Sequence, residues 1–212
     1  MGVTGNNVRR IVQLFAGLAL YGISMAFMVE SGLGLNPWDV FHQGLSDVTG
    51  ISFGVVVILV GIPVLLLWIP LRLRPGFGTI ANLVVIGFVV DGALAVLPAG
   101  GPIPARVTYL VAGIALNGVA TGMYIGSRFG TGPRDGLMTG IVNRFPRLSI
   151  RLVRTGIELT VLVAGFLLGG TVGVGTVAYA LAIGPLAHLF IPIFTVPAGR
   201  DARPEPELSA LD

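Results

Sequence analysis

The chain has 212 residues, of which 54% are apolar and 11% are charged, and its mean hydropathy is +0.90. Soluble domains carry roughly 25% charged residues, so this composition excludes a soluble enzyme, a disordered protein and a nucleic-acid-binding domain. The net charge is only +3 and the sequence contains no cysteine, which excludes disulfides, thiol catalysis and cysteine-bound metals.

Six stretches are long and apolar enough for transmembrane helices, each of which needs about 20 residues. The first has no convincing signal-peptidase site, so we expect it to be retained as a span. The sequence therefore predicts an all-α, polytopic membrane bundle of six transmembrane helices. The predicted spans are, in chain order, 11–29, 53–71, 79–97, 107–126, 152–170 and 175–194.

The arginines predict how the chain is oriented. With a cytoplasmic N-terminus, all of the 13 basic residues except Arg106 fall on or near the inner side. Basic residues are enriched in cytoplasmic loops, so we expect both termini to be cytoplasmic, in a bacterial inner membrane. Residues 197–212 are polar and rich in proline and glutamate, which predicts a disordered cytoplasmic tail.

A short polar helix is predicted after the first span and another after the fourth, at residues 37–47 and 133–144. Each begins with proline, which suits the first helical position, and has an aspartate, Asp39 or Asp135, in its first turn. Two interpretations fit this pattern. Either the helices lie flat at the membrane surface and the aspartates only cap them, or each helix enters the membrane from its own side.

The two short helices belong to an internal repeat. Sliding the chain on itself by 96 residues aligns 17–45 with 113–141, with nine identities, and an offset of 97 aligns 74–81 with 171–178. Each copy holds three spans, and an odd number turns the second copy upside down. The sequence thus predicts two inverted three-helix repeats, 1–104 and 105–196, a construction found in secondary transporters and in channels.

If both short helices enter the membrane, their N-termini face a shared central chamber. Free N–H groups at helix N-termini bind anions, and charged side chains inside a membrane usually mark solute or ion pathways. The candidate residues for binding a solute or ion are Asn36, Asp39, His42, Arg134 and Asp135.

Three further ionisable residues lie inside the predicted spans. Asp91 aligns with His188 at the mirrored position of the repeat, and Glu158 follows Arg154 by one helical turn. All three are candidates for proton or ion handling. The alternative is structural: hydrogen bonds within the bundle or snorkelling towards the nearer membrane interface for the first two, and a mutually neutralised pair for Glu158.

Motifs for metal or cofactor binding and for catalysis are missing from the sequence, including the zinc HExxH helix, the Walker loop and the GxSxG elbow. The two histidines are too far apart in sequence to suggest a metal cluster. We therefore expect no metal, no cofactor and no enzymatic activity.

The strings GLGLNPWDVFHQGLS, GISFG, GTIANLVVIGFVVD and GTGPRDGLM resemble the YczE/YyaS/YitT family of bacterial integral membrane proteins, closest to its YczE-like branch. The resemblance extends over residues 18–194. It implies a multipass inner-membrane protein without an established activity, and it assigns no site residues. Some members of the family lie beside genes for peptide-antibiotic biosynthesis.

Three functions remain open from the sequence. The preferred one is a transporter or permease for a small solute or ion, with its site where the repeats meet. The others are the membrane-embedded binding subunit of a larger importer, and a non-transporting scaffold for a membrane-associated biosynthetic complex. The expected partners are the lipid bilayer, an unknown small solute or ion, and a second copy or another membrane protein, without nucleic acid.

Overall fold

The computed structural model describes the backbone of residues 2–196 and the side chains of residues 7–196, so the predicted disordered tail lies outside the described residues. Within this range the chain is all-helical, with eight helices and no strand. The helices are α1 (Gly2–Ser31), α2 (Pro37–Thr49), α3 (Phe53–Leu66), α4 (Phe77–Val96), α5 (Ile103–Gly126), α6 (Pro133–Arg144), α7 (Ile150–Leu167) and α8 (Val174–Phe194).

Four helices, α1, α4, α5 and α8, are long and apolar enough to cross a membrane. The number rises to five if α2 and α3, which are bent by 114° to each other, form one broken span. Six spans were predicted. Helix α3 ends at Leu66, three residues after Pro63, and not at residue 71, while α7 carries Arg151, Arg154 and Glu158.

The short helices α2 and α6 begin at the residues predicted from the sequence, but α2 ends at Thr49, two residues beyond the predicted end at 47. Asn36 caps α2 by accepting a hydrogen bond from the backbone of Asp39, and Gly50 ends the helix with a positive φ of 71°. Helix α6 spans Pro133–Arg144, as predicted, with Gly132 at its N-cap position. Both helices therefore begin with proline and carry an aspartate in the first turn.

Helices α1 and α5 form the centre of the fold and run antiparallel. At one end the Arg10 side chain of α1 donates to the backbone oxygen of Ser127, just after α5, at 2.8 Å. At the other end the Arg106 side chain of α5 donates to the backbone oxygen of Ser31, at the end of α1, at 2.7 Å. Each helix therefore begins where the other ends.

Glycines allow α1 and α5 to approach closely. A Cβ atom added to Gly17 would lie 2.9 Å from the Tyr124 nitrogen, and one added to Gly113 would lie 3.0 Å from the Ser24 oxygen. Small residues at helix crossings are typical of membrane bundles, where helices associate through van der Waals packing and not through the hydrophobic effect.

Contacts between the two halves of the chain are reciprocal. The Gly78 N–H donates to the Phe129 oxygen, and the Gly175 N–H donates to the Leu33 oxygen, both at 2.8 Å. Leu33 and Phe129 are 96 residues apart, and Gly78 and Gly175 are 97 apart. The contacts therefore recur at the spacing of the sequence repeat.

The contacts of the outer helices also recur between the two halves of the chain, but only in part. Helix α4 packs on α1 and α8 packs on α5, while α2 packs on α7 and α6 on α3. The exception is the contact of α3 with α4, where a Cβ atom on Gly87 would lie 2.5 Å from Ile58. The aligned residue on α8, Gly184, has open space beside it, so the second half is more loosely packed at this position.

Candidate functional site

The N-termini of α2 and α6 meet inside the bundle. One guanidinium nitrogen of Arg134, in the first turn of α6, lies 3.7 Å from Oδ1 of Asp39, in the first turn of α2. The same guanidinium lies 5.0 Å above the ring of Trp38. The structure therefore brings together two of the residues predicted to form the site, although they are distant in sequence.

The N-terminus of α2 is closed to solvent. Asn36 is 3% exposed, Asp39 0% and His42 1%. The Asn36 amide donates to Oδ2 of Asp39, the Asp39 N–H donates to the Asn36 side chain at 3.0 Å, and Nδ1 of His42 lies 3.3 Å from Oδ1 of Asp39. With Arg134 added, both carboxylate oxygens of Asp39 have partners, as a buried carboxylate requires.

The N-terminus of α6 is open. Its cap residue, Gly132, has no side chain to bond the first turn, and Asp135 is exposed where its counterpart Asp39 is fully buried. Oδ2 of Asp135 accepts a hydrogen bond of 2.7 Å from the hydroxyl of Tyr124. The sequence did not single out Tyr124; the available signal was a tyrosine in the last turn of a mostly apolar span.

A pocket of about 80 Å³ lies beside the N-terminus of α6. Since one water needs about 10–15 Å³ of such volume, the pocket has room for a few waters or a small hydrated ion. Each helix from α1 to α6 contributes to its wall. Its polar lining consists of Tyr21, His42, Asn82, Tyr124, Arg134 and Asp135.

The second half of the chain has a hydrogen-bonded cluster in the corresponding positions. Asn117 donates to the Ser24 hydroxyl at 2.9 Å and accepts from the Tyr179 hydroxyl at 3.0 Å. Asn117 aligns with Tyr21 and Tyr179 aligns with Asn82, both of which line the pocket. Asn117 on α5 therefore bonds side chains of α1 and α8, and these polar groups satisfy one another.

Asp91 lies outside this pocket. Its carboxylate accepts hydrogen bonds of 2.6 Å from the Ser52 hydroxyl and from the Gly54 N–H. These bonds cap the N-terminus of α3, where free N–H groups attract negative charge. Asp91 therefore makes hydrogen bonds within the bundle, as in the structural alternative to proton or ion handling.

Glu158 and His188 also lie outside the pocket. Glu158 accepts a hydrogen bond of 2.9 Å from Arg154 in a partly exposed pair on α7, and His188 is exposed on α8. No group of three or more histidine or acidic residues suited to a metal ion occurs among the described residues. Of the predicted site residues, His42, Arg134 and Asp135 therefore line the pocket. Asp39 does not line it but contacts His42 and Arg134, which do. Asn36 and the three candidates for proton handling are not part of the lining.

Comparisons with known proteins agree with a membrane protein of unassigned activity. Over 182 residues the chain is 41% identical to an uncharacterized protein of Haemophilus influenzae, covering 86% of this chain and 83% of that protein. It is 32% identical over 180 residues to the uncharacterized membrane protein YczE of Bacillus subtilis, covering 84% and 83%. It is 26% identical over 181 residues to the uncharacterized protein YyaS of the same organism, covering 84% and 90%.

No solved structure matches the chain. The resemblance to YczE and YyaS expected from the sequence is confirmed, and the apolar helices place the chain in contact with a lipid bilayer. Residues 8–192 match a family described as a family of unknown function (DUF6198), and the chain, a multi-pass membrane protein, belongs to that family.

Proposed function

We propose that the chain is a permease for a small solute or ion, with its binding site in the pocket at the N-termini of α2 and α6. One observation carries the proposal: helix starts from the two halves of the chain meet beside a pocket into which charged and polar side chains project. Ionisable groups are costly inside a membrane bundle, so they persist mainly where they serve a pathway. We propose no catalytic role for them.

The site would lie between two inverted repeats of three crossings each, formed by α1, α3 and α4 and by α5, α7 and α8. The antiparallel course of α1 and α5 supports this arrangement, because aligned helices that cross a membrane in opposite directions belong to inverted copies. The reciprocal hydrogen bonds of Gly78 and Gly175 also support it.

In this arrangement α2 and α6 are re-entrant helices that approach the middle of the membrane from opposite sides. Irregular backbone at that depth is tolerated where protein or water satisfies it, and the contact between Asp39 and Arg134 fits two helix starts meeting in the interior. The arginine distribution supports cytoplasmic termini in a bacterial inner membrane.

The topology can be tested directly because the chain has no native cysteine. Single cysteines would be introduced at Ala99, in the loop before α5, and at Val172, in the loop before α8, both of which are exposed and have no positive φ. A membrane-impermeant thiol reagent should label both from the outside of intact cells. Protection of either one would contradict six crossings with cytoplasmic termini.

The transport test uses purified chain in proteoliposomes offered a defined mixture of amino acids, small amines, small organic acids, Na⁺ and K⁺. We expect one component to enter faster than into protein-free vesicles, and Asp39→Asn and Asp135→Asn to abolish that uptake. Asp47→Asn is the matched control, since it removes the same charge from an exposed position of α2 outside the pocket.

Full uptake by both Asp39→Asn and Asp135→Asn would remove the pocket and its neighbouring ion pair from the mechanism. Binding without uptake, together with stable co-purification of a second membrane protein, would favour the importer-subunit alternative. If the chain neither binds nor takes up any component, the scaffold alternative is favoured.

A further inference from the structure

The charges around the pocket do not cancel. Asp39 is paired with Arg134, and its remaining capacity is taken by Asn36 and His42. The Arg134 guanidinium is turned towards that carboxylate and over the Trp38 ring. The α2 side of the site therefore has its carboxylate and its cation matched to each other.

Asp135 is the carboxylate at the pocket that has no cationic partner among the described residues. Its Oδ2 atom accepts the Tyr124 hydroxyl, and within the described residues its Oδ1 atom has neither a hydrogen bond nor an ion pair. Because Asp135 is exposed and lines the pocket, this oxygen is accessible to whatever enters. The positive end of α6, roughly half an elementary charge, offsets only part of its negative charge.

The remaining groups that face the pocket are neutral or already paired. Helices α1, α4 and α5 contribute Tyr21, Asn82 and Tyr124, and α3 contributes the apolar Val57, Val60, Gly61 and Val64. From α2 comes His42, whose Nδ1 is held by Asp39. A single free carboxylate among phenol and amide oxygens is a set of hard oxygen ligands, which suits small cations.

The number of carboxylates limits the charge of that cation. Divalent ions in proteins usually take several anionic ligands, and the described residues hold no cluster of three acidic or histidine side chains. A pocket of about 80 Å³ admits a partly hydrated metal ion or a short primary ammonium.

We infer that the pocket binds a small monovalent cation, metal ion or primary ammonium, with Asp135 as its contact and Asp39 as a positioning residue that holds Arg134 away. The inference rests on the proposed function, which makes this pocket the binding site. It adds the chemical class of the transported solute or coupling ion.

The test is thermal unfolding of the detergent-purified full chain in NaCl, KCl or methylammonium chloride, each at several concentrations. Ionic strength is kept constant with the chloride of N-methyl-D-glucamine, a cation too large for the pocket. A bound ligand raises the unfolding temperature, by about 5 °C or more at a hundredfold excess over Kd for a chain of this size. We expect a saturable shift with at least one small cation.

Asp135→Asn should abolish this shift, and the control Asp47→Asn should retain it. If Asp135→Asn does not fold, Gly132→Asn replaces it as the test variant, because it keeps every charge but places a side chain beside Asp135 and Tyr124. That variant should need at least tenfold more cation for the same shift. The sodium and methylammonium arms distinguish a metal ion from an ammonium group.

The inference is overturned if no small cation shifts the unfolding temperature, or if Asp135→Asn responds like the wild type. These outcomes are separable from failure of the permease proposal. Uptake of a neutral or anionic solute without a cation shift would overturn the cation site alone, and a cation shift without uptake of any component would overturn the permease alone.

Discussion

The N-termini of α2 and α6 share a proline and an aspartate but differ in their neighbours. Asn36 caps α2 and bonds Asp39, whereas glycine occupies the cap position of α6. Trp38 in the first is replaced by Arg134 in the second, whose guanidinium crosses over to pair with the first carboxylate. The comparison shows how two similar helix starts differ in exposure: one is closed by its own side chains, and the other is left open at a pocket.

The largest expected difference is in stability. Asp39→Ala should lower the free energy of unfolding by about 3 kcal/mol, because it leaves the Arg134 charge unpaired beside a buried histidine and amide. Asp135→Ala should cost about 1 kcal/mol, since it removes one hydrogen bond at an exposed position. Thermal unfolding followed by circular dichroism at 222 nm measures both, and equal losses would contradict the division into a closed and an open helix start.

The loops that lead into the two helices provide the next comparison. Gly34 has a φ of +118° and Gly130 a φ of +114°, and an added Cβ would lie 2.7 Å from the Gly173 nitrogen and 2.9 Å from the Thr79 hydroxyl, respectively. Alanine at either glycine should cost about 2 kcal/mol or more, from the left-handed backbone and from the clash.

Gly34→Ala should be the worse of these two, because its closest neighbour is backbone that cannot turn away. The control is Gly50→Ala, with a φ of +71° and open space around it, which should cost about 1 kcal/mol from the backbone alone. Equal losses at all three glycines in chemical unfolding would show that the close approach contributes nothing.

Exchanging the cap residues tests the difference between the helix starts at a finer scale. Asn36→Ala should cost about 1 kcal/mol, whereas Gly132→Asn should stabilise by a few tenths of a kcal/mol while lowering cation binding and uptake. A gain in unfolding temperature with a loss of activity is the expected combination. Unchanged activity in Gly132→Asn would mean that the α6 N-terminus is not the open side of the site.

The smallest effect is expected at Asp47, which is exposed on the last turns of α2. Asp47→Asn should change the free energy of unfolding by less than about 0.5 kcal/mol and leave uptake intact. A loss of uptake in Asp47→Asn would show that uptake depends on the charge of α2 in general, and not specifically on the Asp135 carboxylate that lines the pocket.

Local signals predicted the local structure well. Proline at the first helical position and aspartate two residues later fix where α2 and α6 begin, and α6 has the predicted bounds of 133–144. The number of crossings was harder to predict, because hydropathy does not register that α3 ends near Pro63. The predicted span 152–170 also includes Arg154 and Glu158, at the charged start of α7.

The arrangement of the site was predictable only in part. The repeat implied that the two helix starts approach each other, and Arg134 and Asp39 do so. The role of Tyr124 and the capping of α3 by Asp91 depend on helices that meet only in the fold: the Ser52 hydroxyl that binds Asp91 lies 39 residues earlier. No local pattern encodes such pairs.

The arginines that connect α1 to α5 bear on the direction of the proposed transport. Arg10 holds two carbonyl oxygens at 2.8 and 2.7 Å, and Arg106 holds two at 2.7 and 2.8 Å. If the proposed permease opens one face at a time, opening either face breaks the two arginine hydrogen bonds at that end, so the arginine contacts by themselves favour neither orientation. The concentration gradient of the solute, and not a preferred orientation set by these arginines, would then decide the direction of net transport.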